Sequence, residues 1–250
     1  MTLKTLDTSL TLLRFFTAQS PVWGVRELAK ASGVHHSVVQ RVLATCAEHN
    51  FVVQRDRSRK YALGMAFLEL AGSLRESLQV SDLILPAMQR VCDATGETAY
   101  LAMLDRHEAV YLEIVEPEQS IKYTVRPGTR VPLHAGASAK VMLAFLPEAE
   151  RDAVLDADLA RKTVHTVVDR AALRAELEQI RAQGWARSVG EFAEGVFGLG
   201  LPLFDERERV IGSLGVSGPA FRFDDTKATA MLAAIRAERD GIESHIQRFY

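Results

Sequence analysis

The chain has 250 residues, 48% of them hydrophobic and 25% charged, a profile that excludes a disordered or fibrous protein and leaves room for two domains. No apolar run approaches the ~20 residues of a membrane span, and the first residues lack a basic stretch followed by an apolar core, so a cytoplasmic protein with no membrane partner is expected. The formal net charge of −2 divides unevenly: residues 1–64 hold nine Lys/Arg against four acids, and the remainder 21 basic residues against 28 acidic ones, as fits a first quarter that meets a polyanion.

Residues 3–19 are expected to form a first helix, with Leu6, Leu10 and Leu13 on one stripe and Leu12, Phe15 and Phe16 widening it, until Gln19-Ser20-Pro21 breaks it. Val25, Leu28 and Ala29 then recur at helical spacing up to Ser32-Gly33, where glycine accepts the left-handed backbone that a helix stop requires. In the next segment Val39, Val42, Leu43 and Cys46 share one face, and Ser37, Gln40, Arg41, Ala44 and Glu48 the other. A helix, a tight Gly-containing turn and a second helix form the helix-turn-helix pattern. Taken alone, the same pattern also suits an ordinary helical hairpin with a wet polar face.

The segment behind the second helix favours the first reading. Phe51-Val52-Val53 and Tyr61-Ala62-Leu63-Gly64 read as two short strands around the basic tip Gln54–Lys60, which makes a β-hairpin wing. Ser37, Gln40 and Arg41, with His35 and His36 at the helix start, are residues of the kind that read base edges in double-stranded DNA. Arg55, Arg57, Arg59 and Lys60, with Arg26 on the preceding helix, would lie against phosphates.

Met65 to Gln79 is a further helical stretch, with Phe67, Leu70, Ala71, Leu74 and Leu78 in line. It is either a linker that pairs with its copy or a helix packed on its own chain. Ser81-Asp82 reads as the N-cap of a helix that runs to Thr95-Gly96. The period then becomes two, giving strands at Glu97–Asp105, Ala109–Val115 and Ile121–Arg126. Residues 148–158 and 169–183 read as helices, Trp185–Val189, Val196–Phe204 and Val210–Val216 as strands, and the tail behind Asp224-Asp225 as a last helix carrying Ile242, Ile246 and Phe249.

Between these lies Ala135, Gly136, Ala137, Ser138 and Ala139, a small-residue loop that opens a helix. Its backbone N–H groups suit either a carboxylate or phosphate, or only close packing. Enzyme motifs are incomplete. Gly136-Ala137-Ser138-Ala139-Lys140 lacks the last glycine of a nucleophile elbow, Gly195, Gly198 and Gly200 fit no phosphate loop, and the seven histidines show no metal spacing. Cys46 and Cys92 form no C-x-x-C pair and are expected as reduced thiols. No catalytic residue, metal or cofactor is therefore expected.

Three stretches carry a resemblance to the IclR-type bacterial transcriptional regulators: GVHHSVVQRVLATCAEHNFV with the wing closing on YALG, PLHAGASAKVMLAF, and GWARSVGEFAEGVFGLGLP with GSLGVSGP. It covers nearly the whole chain. The resemblance implies an α+β architecture: a winged helix-turn-helix over 1–64, a linker helix over 65–79, and a GAF-like α/β effector domain with an antiparallel sheet over 80–250. It implies a regulator that binds a palindromic promoter site as a homodimer or tetramer. Carried over by local motif, the effector cavity would be lined by Ile121, the 135–139 loop with Ser138 and Ala139, Ser188, Gly198, Gly215 and Ser217. Family members that bind small carboxylates often have an acid, a cysteine and two serines at the last four positions. The residues here imply a roomier, less polar cavity suited to a larger organic acid, aromatic acids included. Glu191 reads either as a pocket acceptor or as a solvated turn residue. The rival readings are a small-molecule sensor whose basic head docks on a protein or membrane, and a hydrolase that uses Ser138.

Overall fold

The computed structural model describes residues 3–77 and 80–249. The chain divides into two units, Met1–Ser77 and Leu78–Tyr250.

The first unit begins with α1, Lys4–Leu13, shorter than the expected 3–19 because the chain tightens into successive turns at Arg14, Phe15 and Phe16. Two-residue β1, Val22–Trp23, is too short to signal itself by periodicity; it pairs antiparallel with β3 and so completes the wing sheet. Helices α2, Val25–Ser32, and α3, His36–Glu48, come next, with Gly33 between them at φ 70°. Strands β2, Val52–Gln54, and β3, Tyr61–Leu63, close the wing in the order β1-β3-β2. The core gathers Leu12, Phe16, Leu28, Val39, Val42, Leu43, Val52 and Tyr61. The helix-1 stripe is therefore turned from the expected one: Leu12 is fully buried, whereas Leu6 and Leu10 remain about half exposed. Helix α4, Ala66–Ser77, buries no residue of its own, although Phe67 packs edge-on against Phe51 at 5.2 Å. Leu78, expected on its stripe, lies outside the described residues.

In the second unit a π-helical turn, Val80–Ile84, feeds α5, Leu85–Thr95. Asp82 thus lies within a helical turn and caps nothing at the start of α5; Pro86 in the first turn supplies the fixed φ instead. The sheet has six antiparallel strands: β4 (Thr98–Asp105), β5 (Glu108–Val115), β6 (Arg130–Pro132), β7 (Ala186–Val189), β8 (Val196–Phe204) and β9 (Val210–Pro219), in the order β6-β5-β4-β9-β8-β7. The expected strand Ile121–Arg126 does not form. Residues 116–129 run irregularly, and the short strand that does pair with β5 starts later, at Arg130.

Helices α6 (Ala137–Phe145), α7 (Glu148–Asp156), α8 (Arg170–Gln183) and α9 (Asp225–Ile246) complete the unit. Side chains of Asp169 and Asp224 accept the Ala172 and Lys227 N–H groups at 2.8 Å, capping α8 and α9. The sheet is covered twice. Leu199, Leu201, Leu203, Leu214 and Val216 meet α5 and α9 on one face, while Tyr100, Ala102 and Tyr111 meet α6 and α8 on the other. A strand buried on both faces loses its alternation, and all ten residues of β9 are buried.

The rotated α1 stripe is open to test. Leu12→Ala should destabilise the first unit by about 2–5 kcal/mol through a core cavity, and Leu6→Ala by no more than about 0.5 kcal/mol, in urea titrations followed by circular dichroism. Equal losses would mean that Leu6 is covered, by its own core or by a second copy.

Candidate functional sites

Two sites emerge, one in each unit. In the first, burial of Val39, Val42 and Leu43 forces Ser37, Gln40 and Arg41 outward on α3, and all three are exposed. His35 is the N-cap: its Nδ1 accepts the Ser37 N–H at 3.4 Å and lies 2.8 Å from Ser37 Oγ, and its ring sits 4.4 Å from that of His36. The start of the helix is thus fixed by the same residues that the sequence marks as readers.

On the wing, Arg55, Arg57 and Arg59 are exposed, and Arg59 takes φ 52° at the turn, where its carbonyl accepts from Gln54 Nε2 at 3.0 Å. Lys60 behaves differently. Its Nζ donates to Glu27 Oε1 at 2.7 Å, and the other Glu27 oxygen accepts the Gly24 N–H at 3.0 Å. The lysine bond, and then the Gly24 N–H, hold the Glu27 carboxyl below its usual range. Lys60 therefore ties the wing to the start of α2, while Arg26 points out from that helix, exposed.

In the second unit a narrow cavity of about 20 Å³ is lined by Gly136, Ala137 and Ser138, by Ser188, Gly198 and Ser217 from three strands, and by Tyr111, Tyr123, Phe192 and Phe197. A space of that size holds a water or two. Tyr111 Oη and Ser138 Oγ stand 3.3 Å apart, and the Ser138 carbonyl accepts from Ser213 Oγ at 3.0 Å. Burial pushes the Tyr111 and Tyr123 hydroxyls up, so both phenols stay neutral.

The helix start at Gly136 is already served from within. Glu191 Oε2 accepts the Gly136 N–H at 3.3 Å and Ser188 Oγ accepts the Ala137 N–H at 3.0 Å. Glu191 Oε1 in turn holds Lys140 Nζ at 2.6 Å, and that fully buried ammonium also donates to Glu176. Burial raises the Glu191 carboxyl above its usual range, against the lowering effect of Lys140. Glu191 is thus neither a solvated turn residue nor a wall of the cavity; it stands behind Gly136.

Of the residues named from sequence, six line the cavity: Gly136, Ala137, Ser138, Ser188, Gly198 and Ser217. Ile121 does not; it is 60% exposed, on the irregular segment where the expected strand is missing. Ala135 and Ala139 are buried outside the lining. Gly215 serves the core instead, because a Cβ there would stand 2.3 Å from Tyr100 Oη and 2.0 Å from the Leu199 carbonyl, between which a 2.7 Å hydrogen bond runs. The cavity is accordingly tighter than its glycines imply: Tyr100 takes the room at Gly215, and Tyr111, Tyr123 and Phe197 crowd the rest. Sequence reasoning misses these aromatic walls, and only the inward-facing alternation of β5 marks Tyr111.

A family model for the IclR helix-turn-helix domain matches residues 5–56, and one for the bacterial transcriptional regulator IclR C-terminal matches residues 73–243. The chain belongs to the IclR family of bacterial transcriptional regulators. It is 30% identical to the HTH-type transcriptional regulator XynR of Escherichia coli (strain K12) over 226 residues, 90% of each chain. An IclR transcriptional regulator from Silicibacter sp. TM1040 superposes with a TM-score of 0.89 at 29% identity, over 97% of this chain and 96% of that one. An IclR homologue from Microbacterium hydrocarbonoxydans, crystallised with 4-hydroxybenzoate, shares the fold with a TM-score of 0.82 at 24% identity, over 98% and 100% of the two chains. The family consists of ligand-responsive transcriptional regulators, with a DNA-binding head and an effector-binding C-terminal domain, which places this IclR chain among regulators. Among the described residues, no helix of this IclR chain is long and apolar enough to cross a membrane.

Gly198 and Gly215 should separate by substitution. Gly215→Ala forces its methyl into Tyr100 and a main-chain oxygen, and should lower the stability of the effector domain by about 3 kcal/mol or prevent folding. Gly198→Ala meets Ala137, Ser188 and Ser217 at 3.2–3.3 Å, and should stay within about 1.5 kcal/mol of wild type in thermal melts. Equal costs would show that Tyr100 does not depend on Gly215.

Proposed function

We propose that this regulator reads its operator in the major groove with Ser37, Gln40 and Arg41, while Arg26, Arg55, Arg57 and Arg59 hold the phosphates. The observation that carries this reading is the exposed polar row on α3 beside three exposed wing arginines, on a unit where basic residues exceed acids. His35 serves as the cap that orders the reading row, with His36 beside it, and Lys60 acts mainly through Glu27. A chromosomal target puts the protein in the cytoplasm.

The DNA-bound form is a dimer of this chain, or a tetramer built from dimers, on a palindromic site. Supporting this, α4 leaves Leu68, Leu70 and Leu74 more than half exposed, and the half-exposed Leu6 and Leu10 border an apolar groove of about 540 Å³ with Val38, Val42, Cys46 and Phe51. A second copy of the same stripe is the partner that a two-fold operator requires.

The effector is a small organic acid of about benzoate size, held among the Tyr111, Ser138, Ser188 and Ser217 hydroxyls with its ring against Phe192 and Phe197. The 4-hydroxybenzoate seen in the Microbacterium homologue is a model compound for that class. A ring exceeds the present cavity, so entry requires the segment carrying Tyr123 to move. That segment is held by Thr98 Oγ1, which donates to the Tyr123 carbonyl at 2.6 Å, and by Arg222 Nη2, which donates to the Ile121 carbonyl at 2.5 Å.

Mobility shifts on the DNA upstream of the gene, in rising salt, test the reading head. Gln40→Ala and Arg41→Ala should each cost about 1–3 kcal/mol on the operator and little on unrelated DNA, whereas Arg57→Ala should weaken both alike and reduce the salt slope by about one. Lys60→Ala should change the slope less than Arg57→Ala. If Arg41→Ala weakened specific and unrelated DNA equally, α3 would not be the reader. Sedimentation of Leu70→Lys/Leu74→Lys should show a smaller assembly that no longer shifts the operator; an unchanged assembly would remove α4 from the interface.

A further inference from the structure

Among the described residues that line the cavity none is a cation: the polar side chains are the hydroxyls of Tyr111, Tyr123, Ser138, Ser188 and Ser217. The Lys140 ammonium, on the helix that opens at the cavity, has no exposed surface and is already matched by two carboxylates, Glu176 and Glu191. One positive and two negative charges leave a surplus of one negative charge directly behind the helix start that lines the cavity. The Gly136 N–H, the donor an anion would seek there, is occupied by Glu191. As it stands, the site repels a carboxylate.

We propose that an organic acid enters this cavity together with one proton, and that Glu191 takes the proton. The inference rests on the reading of the cavity as an acid site. The proton passes from solvent to the Glu191 carboxylate, which leaves Glu176 and Lys140 as a balanced pair. A neutral Glu191 removes the surplus negative charge behind the α6 start, so that the positive end of the helix meets the acid's carboxylate unopposed. One proton thus cancels one negative charge directly behind the cavity.

The groups around Glu191 allow this. Lys140 faces it from α6 and Glu176 from α8; the hydroxyls of Thr163 and Thr166, on the loop before α8, donate to its main-chain oxygen. His165 packs against Gly190, Arg161 is bonded to the Thr166 carbonyl, and Glu194 is exposed on the same loop as Glu191. Burial already holds the Glu191 carboxyl above its usual range, and a second anion nearby raises it further. Because the bound state then holds more protons than the free one, affinity rises as pH falls through the window between the two carboxyl values and is flat outside it.

Titration calorimetry with 4-hydroxybenzoate on the whole protein tests this, in two buffers of different ionisation heat at each pH, from about pH 4.5 upward to about pH 8. Heats that differ between the buffers by an uptake of up to one proton per site, with affinity rising by as much as about ten-fold per pH unit lost, are the expected result. Glu191→Gln should abolish the uptake and flatten the pH profile, and His165→Gln should preserve both. Binding with no buffer dependence, or an uptake lost in His165→Gln, overturns the inference while the acid reading stands. If neither 4-hydroxybenzoate nor benzoate binds, the acid reading and the inference fall together, and the DNA assays are untouched. Should Glu191→Gln not fold, the wild-type buffer comparison and His165→Gln decide.

Discussion

A single buried ammonium organises the effector domain. Lys140 has no exposed surface, and an uncompensated charge at such a place would cost several kcal/mol. Its two carboxylate partners come from separate parts of the chain, Glu176 on α8 and Glu191 on the loop between β7 and β8. Satisfying one nitrogen therefore fixes three segments relative to each other. Since Glu191 also accepts from Gly136, and its neighbour Phe192 lines the cavity, the ion trio sets both the start of α6 and one wall of the site.

The first unit solves a different problem. On the proposed reading, α3 must be rigid enough to register on base pairs yet keep one face out of the core. Val39, Val42 and Leu43 anchor α3 on Leu12 and Leu28, which leaves only the opposite face for Ser37, Gln40 and Arg41. The wing is held by a surface ion pair between Lys60 and Glu27, with 41% and 52% of the side chains exposed. A pair so exposed contributes little stability, but it holds the end of the wing against the start of α2.

Where a residue's role depends on local spacing, it is mostly legible in the sequence: the α2–α3 turn at Gly33, the cap at Asp224 and the polar face of α3 appear as read, whereas the cap expected at Ser81-Asp82 does not form at the start of α5. Where it depends on residues distant in the chain, it is not. The α1 stripe is ambiguous because Leu6 and Leu12 both fall on apolar spacing, and only Leu28 and Leu43 decide which one is core. Ile121–Arg126 has strand composition, yet β5 takes Arg130–Pro132 as its partner instead. Gly215 reads as space for a ligand, but the space belongs to Tyr100, far earlier in the chain. Nor can spacing show that Lys140 and Glu191 meet.

The tightness of the cavity bears on how such a domain can respond to a ligand at all. A ligand shifts a conformational equilibrium only by the difference in its affinity for the two states. A roomy, preformed pocket would bind equally well before and after any change, and would signal nothing. Here about 20 Å³ of space, bounded by Tyr111, Tyr123 and Phe197, disfavours a ring until the 116–129 segment yields. That segment has no regular structure; near Tyr123 side chains hold it at the Thr98 and Arg222 contacts, while Gln119 and the Gly128 and Thr129 main chain tie its two ends to Gly96 and Tyr111. On the proposed reading of the cavity, the same crowding that lowers apparent affinity supplies the differential on which regulation depends.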